Sequence, residues 1–196
     1  MATFFSTIKR SFKDVAAEGE QIPTTEFLEA AESLVTLFDL LGSTAFAAVQ
    51  KDMNGNIKKI RDRQTSHPKE SDTLQNLCNN ELAEGKRNAS GGLLWLHRGL
   101  EFTEKALRKN IQNPSEELNI SFTNAYGETL KQYHNMLVKG VFTLAMKACP
   151  YRADFYKKLG ENEAEVNTQL EEWLTALELN NAILSRYLAT VSQKIT

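Results

Sequence analysis

The stretch TTEFLEAAESLVTLFDLLGSTAF, residues 24–46, predicts a long amphipathic helix. Its apolar residues recur at positions 27, 28, 31, 34, 35, 38 and 41, which is the spacing of one helix face. Pro23, Thr24 and Thr25 form a typical helix start, and Gly42 is a typical helix end. Helical periodicity continues along the chain without strand-type alternation of useful length. We therefore predict an all-α fold.

Further helices follow from the same signals. Ser71 is placed to cap a short helix, and residues 84–92 form a turn-rich link to the helix that contains Trp95. Pro114 and Ser115 mark the start of a long helix that we expect to run to about residue 148. A last helix spans about 163–191.

Composition limits the classes of function. A chain of 196 residues with 41% hydrophobic content is large enough for one cored domain, which we expect to span 1–196. The net charge of −2, without long basic blocks, disfavours nucleic-acid binding. The two cysteines, Cys78 and Cys149, belong to no metal or disulfide pattern. Because neither a secretory signal nor a membrane-spanning run is evident, we expect a soluble, cytoplasmic protein.

The next segment, KDMNGNIKKI at residues 51–60, contains a polar trio. Asp52, Asn56 and Lys59 are spaced i, i+4 and i+7, so they form one stripe of a helix. That stripe adjoins the apolar arc of the same helix instead of opposing it. A carboxylate, an amide and an ammonium on a rigid platform can bind a ligand rich in hydroxyls and amides. We interpret the trio as a binding site.

Trp95 and His134 are candidates for the same site. A tryptophan in a leucine-rich helix is most often a core residue, but Gly99, one turn further on, would leave the indole open to a flat sugar ring. His134 shares a predicted helix face with Leu130 and Leu137. It is therefore either a neutral core residue or a hydrogen-bond donor to a buried carbonyl.

Catalytic patterns find no support in the sequence. His67 and His97 have no metal-ligand spacing, and neither a nucleophile elbow nor a phosphate-binding glycine loop occurs. We predict a non-enzymatic protein with no cofactor and no metal.

Several segments, taken together and in order, carry a family resemblance. They are FFSTIKRSF, the stretch 24–46, KDMNGNIKKIRDRQ, GLLWLHRGLEF, AYGETLKQYHNMLVKGVFTLAM and CPYRADFYKKLG. Over nearly its full length the chain resembles the glycolipid transfer protein family, and within it the fungal heterokaryon incompatibility C proteins. This resemblance implies a two-layer sandwich of about eight helices that encloses an apolar lipid tunnel.

The resemblance also implies roles for individual residues. Asn56 and Lys59 would hydrogen-bond the first sugar of a glycosphingolipid such as glucosylceramide or galactosylceramide, and Trp95 would stack against that sugar. Asp52 would accept from the ceramide amide N–H and from a sugar hydroxyl, while His134 would donate to the amide carbonyl. The tunnel would be lined by Leu37, Phe46, Val49, Phe102, Leu130, Leu137, Phe142 and Phe155. Transfer of the lipid between membranes, with transient contact at their surfaces, is the expected activity.

Two other functions remain open from the residues. A ceramide-1-phosphate carrier would be expected to place basic residues where this chain has Trp95 and Asn56, so a neutral sugar is favoured. A glycolipid sensor or interaction module that moves little lipid would use the same binding residues. Met136 stands where animal members of the family have a membrane-docking tryptophan, and Tyr187 near the C-terminus has no assigned sugar contact.

Overall fold

The computed structural model describes residues 2–196, apart from the side chain of Ser43. Its α-helices are α1 (Phe4–Thr7), α2 (Thr24–Ser66), α3 (Leu74–Ala83), α4 (Asn88–Gln112), α5 (Leu118–Glu128), α6 (Met136–Lys147), α7 (Arg152–Leu159) and α8 (Glu163–Ile195). Short 3-10 helices cover Phe12–Asp14, Pro68–Glu70 and Leu130–Tyr133. The predicted all-α class is confirmed.

Helix α2 is divided at Gly42. The backbone there has φ 110° and ψ 99°, a region that residues with a side chain rarely adopt. The predicted helix end at Gly42 is therefore confirmed as a break, although the helix resumes and carries the polar trio in its second half. All seven apolar positions listed for the first half are buried.

Helix α4 packs against α2, α5 and α8, and the helices form the predicted two-layer sandwich. Leu96, Leu100 and Phe102 of α4 are fully buried between these helices. Burying an apolar side chain of this size contributes about 1.5–3 kcal/mol to stability. In the part of the chain that the structure describes, no helix is both long and apolar enough to cross a membrane.

The predicted long helix from Ser115 to about residue 148 is wrong. The chain leaves the helix at Thr129, where φ is −117° and ψ is −88°, forms a 3-10 turn, and passes through His134 in an extended conformation. Asn135 then starts α6, because its Oδ1 accepts a hydrogen bond from the backbone N–H of Val138 at 3.0 Å. His134 consequently does not share a helix face with Leu137.

Three helix boundaries also differ from the predictions. Thr73, not Ser71, caps α3 through its hydroxyl, which accepts from the N–H of Asn76. Helix α4 begins at Asn88, within the predicted link, because the buried Glu81 carboxylate accepts from the N–H groups of Ala89 and Ser90 at 2.9 and 2.7 Å. Helix α8 continues beyond Val191 to Ile195. A cap supplied by another helix leaves no local signal in the sequence.

Candidate functional site

The polar trio forms a connected chain of hydrogen bonds on α2. Lys59 Nζ donates to Asn56 Oδ1 at 3.1 Å, and Asn56 Nδ2 donates to Asp52 Oδ2 at 3.3 Å. Asn56 is only 3% exposed, whereas Asp52 and Lys59 are exposed. Of the residues described, Asp52 and Lys59 make no direct ion pair with each other, contrary to expectation. The buried amide instead orients both charged groups.

The carboxyl group of Asp52 is electrostatically unusual. Desolvation by surrounding atoms raises its pKa, and the positive charge of Lys59 lowers it in part. An ionised carboxylate that has lost hydration gains from any N–H or O–H donor that reaches it. The trio is thus suited to a ligand that brings donors to Asp52 and acceptors to Lys59.

Gly92 allows α4 to lie directly against the trio, a role that the sequence analysis missed. A Cβ atom at Gly92 would lie 3.2 Å from the backbone oxygen of Asn56 and 3.2 Å from Cβ of Lys59. Both contacts are closer than ordinary packing, and neither atom is at the free end of a flexible side chain. The Gly91–Gly92 pair inside a helical pattern was the available signal.

We expect Gly92→Ala to displace α4 from α2 and to lower both stability and lipid binding. The cost should be about 1 kcal/mol or more in the free energy of urea unfolding, as for overpacked sites generally. Gly91→Ala is the matched control, because its Cβ would meet no atom within 4 Å. Equal stability of the two variants would contradict the close approach at Gly92.

Aromatic side chains from three elements form a wall beside the trio. Trp95 on α4 is half-buried, and the His134 ring is nearly parallel to its indole, at 12° with centroids 6.1 Å apart. His134 also packs on Phe142 of α6, with centroids 4.6 Å apart. Tyr126 Oη lies 3.1 Å from His134 Nδ1. The structure therefore brings Trp95 and His134 together, as the sequence analysis expected.

Burial makes His134 a neutral donor at this wall. Desolvation lowers its pKa, and the positive charges of Lys139 and Arg98 lower it further. The hydroxyl of Tyr126 stays protonated because burial raises the pKa of that group. When this hydroxyl donates to Nδ1, the imidazole proton resides on Nε2, which is then free to donate to a ligand carbonyl.

Arg98 holds the wall from the side, and sequence reasoning did not identify it. Its guanidinium carbon lies 3.5 Å from the centre of the Tyr133 ring and 4.7 Å from the centre of the Trp95 ring. Such cation–π contacts contribute about 0.5–2 kcal/mol each. Arg98 thereby joins the 3-10 turn Leu130–Tyr133 to α4 and limits the movement of the indole.

Gly99 has a different role from the predicted one. A Cβ atom there would meet Met53 of α2, with Cγ at 3.5 Å and Cε at 3.6 Å. The thioether of Met53 therefore fills the space that was expected to leave the indole open. Gly99 serves the packing of α4 on α2.

A cleft of about 580 Å³ contains most of the predicted binding residues. Its lining includes Asp52, Lys59, Trp95 and His134, and Asn56 lies buried behind them. Four predicted tunnel positions line it as well: Val49, Leu130, Leu137 and Phe142. The cleft thus has a polar side formed by the trio and an apolar side formed by α2 and α6.

The other predicted tunnel positions lie inside the core. Leu37, Phe46, Phe102 and Phe155 are fully buried and do not line the cleft. Contacts between aromatic rings connect the two regions: Phe142 packs on Phe102 at 6.2 Å, and Phe122 contacts Phe102 at 5.7 Å and Phe46 at 6.1 Å. Admission of a long chain would require these rings to separate.

Two residues lie away from their expected surroundings. Leu137 is 79% exposed at the mouth of the cleft, not enclosed as a tunnel residue would be. The Tyr187 hydroxyl donates to the backbone oxygen of Gln75 and to Asn79 Oδ1 on α3, at 3.2 and 2.9 Å. It has no part in the cleft.

Comparison with known proteins adds independent information. The family model described as "Glycolipid transfer protein (GLTP)" matches residues 22–161. A glycolipid transfer protein of Aureobasidium melanogenum is 55% identical over 192 residues, covering 98% of this chain and 96% of that protein. The crystal structure of HET-C2, a fungal glycolipid transfer protein, superimposes with a TM-score of 0.93 at 53% identity, covering 95% of this chain and 97% of the other.

A human relative is longer. The pleckstrin homology domain-containing family A member 8 of Homo sapiens is 37% identical over 196 residues, which cover 93% of this chain. The present chain spans 38% of that protein's length.

Proposed function

The chain belongs to the glycolipid transfer protein family, and from this we propose that it binds a glycosphingolipid in the cleft and carries it between membranes. The observation that carries the proposal is the hydrogen-bonded chain from Lys59 through Asn56 to Asp52, which lies opposite Trp95 in a cleft with an apolar second side. A ligand that matches both sides has a polar, hydroxylated head and hydrocarbon chains.

The polar side suits a sugar joined to an amide. Asn56 and Lys59 would bond to hydroxyls of the first sugar, whose C–H face would lie on the Trp95 indole. Asp52 would accept from the ceramide N–H, and the neutral His134 would donate to the amide carbonyl. One rigid helix and one aromatic wall would then fix both halves of the linkage between sugar and lipid.

The charges of the cleft favour a neutral headgroup. Among the described residues that line it, Lys59 is the one cation and Asp52 the one carboxylate, so their charges balance. A ceramide-1-phosphate headgroup would bring its negative charge close to Asp52, and arginine, the residue best matched to phosphate oxygens, does not line the cleft. We therefore propose glucosylceramide or galactosylceramide as ligand.

The apolar side accounts for carriage rather than chemistry. Each CH₂ group exposed to water costs about 0.8 kcal/mol, so a two-chain lipid leaves a bilayer very slowly unaided. Val49, Leu130 and Phe142 begin an apolar path that leads towards Phe102 and Phe46. Separation of these rings would let the protein interior replace the membrane as solvent for the chains, with no covalent step.

The direct test is transfer of fluorescent glucosylceramide and galactosylceramide from donor to acceptor vesicles, with ceramide-1-phosphate as the comparison lipid. We expect rapid transfer of both glycolipids and transfer of the phosphate lipid at least about tenfold slower, because a 1.4 kcal/mol preference gives that ratio. Preferential transfer of ceramide-1-phosphate would contradict the headgroup assignment. Tight glycolipid binding without transfer would support a sensor.

We propose that the same protein contacts membranes through an apolar surface at α6. This α6 surface consists of exposed side chains, with exposed fractions of 45%, 81%, 79%, 40% and 69% for Tyr133, Met136, Leu137, Val141 and Leu144. Lys131 and Lys147 flank it with positive charge that would favour anionic lipid headgroups. Because Leu137 and Val141 also line the cleft, docking here would place the cleft opening at the bilayer.

The double substitution Met136→Asp and Leu144→Asp should weaken binding to anionic vesicles at least about tenfold, since it places two charges on the inserted surface. Neither residue lines the cleft. Leu179→Asp on α8 is the matched control, because Leu179 is 63% exposed and lies outside the α6 surface. Co-sedimentation with vesicles measures the effect, and an equal loss in the control variant would refute this docking surface.

A further inference from the structure

A second cavity lies where the loop before α5 meets α7 and the start of α8. Its volume is about 730 Å³, and its lining includes Glu117, Arg152, Tyr156, Lys157, Glu161 and Glu163. It shares no lining residue with the cleft. We refer to it as the α7 cavity.

Two donors in the α7 cavity are buried without a partner. Tyr156 is 8% exposed, and its hydroxyl has no hydrogen-bond partner among the residues described. The same holds for Nε of Arg152, whose guanidinium carbon lies 4.0 Å from the centre of the Tyr156 ring. Buried polar groups in proteins are nearly always hydrogen-bonded. Two unpaired donors in one cavity therefore indicate an acceptor that occupies it.

Arg152 also differs from most arginines of this chain. Glutamate side chains pair with Arg10, Arg61, Arg63, Arg108 and Arg186. Within residues 2–196, no carboxylate lies within ion-pair distance of the Arg152 guanidinium. The nearby Glu117 carboxylate instead accepts from the backbone N–H of Arg152 at 2.7 Å. The planar face of the guanidinium is held by Tyr156 while its N–H groups remain available.

The charges around the cavity restrict the acceptor further. Arg152 and Lys157 supply two positive charges, and Glu117, Glu161 and Glu163 supply three negative ones. A multiply charged anion would meet repulsion from the acidic rim, whereas a ligand with its own positive group would be attracted to it. A phosphate oxygen matches the Arg152 fork and the Tyr156 hydroxyl.

We infer that the α7 cavity binds a zwitterionic phosphoester such as phosphoethanolamine, with its phosphate at Arg152 and Tyr156 and its ammonium at Glu161 and Glu163. This chemistry is found both in free phosphoethanolamine and in the headgroup of phosphatidylethanolamine. The inference does not depend on the glycolipid cleft, because the two share no lining residue.

Titration of the ¹⁵N-labelled protein with O-phosphoethanolamine, followed by NMR, tests this inference. We expect saturable shifts at residues 152–163 and weaker binding of inorganic phosphate and of ethanolamine. Arg152→Gln should weaken binding at least about tenfold, because it removes a charge-assisted bond. Tyr156→Phe should weaken it several-fold and keep the fold intact, since it deletes only a hydroxyl that has no partner.

Lys158→Gln is the matched control, with the same change of charge on the same helix but outside the cavity lining. We expect it to bind like the original protein. Absence of saturable shifts, or equal losses in Lys158→Gln and Arg152→Gln, would overturn the inference. Co-sedimentation with phosphatidylethanolamine vesicles separates the sources: a loss in Tyr156→Phe identifies the lipid headgroup, and no change alongside NMR binding identifies the soluble compound.

Discussion

Asp52→Val should abolish glycolipid transfer while the protein remains helical. The substitution removes the acceptor for the ceramide N–H and for a sugar hydroxyl, and it also removes the partner of the Asn56 amide. A hydrogen bond to a charged group contributes about 1.5–3 kcal/mol, so two lost bonds correspond to a decrease of at least about 100-fold. The vesicle transfer rate measures this, and far-UV circular dichroism measures the fold.

Stability should not decrease in this variant. A raised pKa in the folded protein means that folding disfavours the ionised carboxylate, so its contribution to stability falls as the pH rises through the pKa. At neutral pH, Asp52→Val therefore removes an unfavourable group. The folded state retains Asp52 despite this cost, which is typical of a side chain held for binding.

Asp62→Val is the matched control for Asp52→Val. Asp62 lies on the same helix and pairs only with Lys58, at 2.6 Å on the exposed side. A surface pair of this kind contributes about 0–1 kcal/mol, so transfer should be unchanged. Unchanged transfer in Asp52→Val would refute the proposed headgroup site, whereas a loss in both variants would point to general damage to α2.

The helices that the sequence predicted best are those whose own residues determine them. The first half of α2 needs only its apolar spacing and the conformational freedom of Gly42, both of which are local properties. The same spacing placed Asp52, Asn56 and Lys59 on one stripe. The order of their hydrogen bonds was not predictable, because it depends on how deeply α4 buries the central amide.

The errors arise where tertiary contacts override local signals. A helical pattern continues through residues 129–135, yet packing of His134 between Trp95 and Phe142 coincides with a chain that has left the helix. Asn135 ahead of an apolar run was a readable cap signal. Arg98 between Trp95 and Tyr133 was not readable, since it joins elements separated by an entire helix.

Trp95→Ala is expected to produce the second large loss of transfer. The substitution removes the surface on which the sugar would lie and the ring that Arg98 and His134 flank. Stacking contributes about 0.5–1.5 kcal/mol beyond the area that it buries, and the buried area of an indole adds more, so we expect a decrease of about 10- to 100-fold. Trp95→Phe should retain part of the activity, because a smaller aromatic face remains.

The chain offers a spectroscopic readout that separates sugar contact from loss of structure. It contains two tryptophans, of which Trp173 is 1% exposed in the core and makes no hydrogen bond through Nε1 among the residues described. Trp173→Phe should therefore fold and leave Trp95 as the single emitter. We expect its emission to change with glucosylceramide vesicles and not with vesicles that lack glycolipid. An identical response to both would show that the indole reports membrane contact alone, and the proposed sugar platform would then be wrong even if Trp95→Ala were inactive.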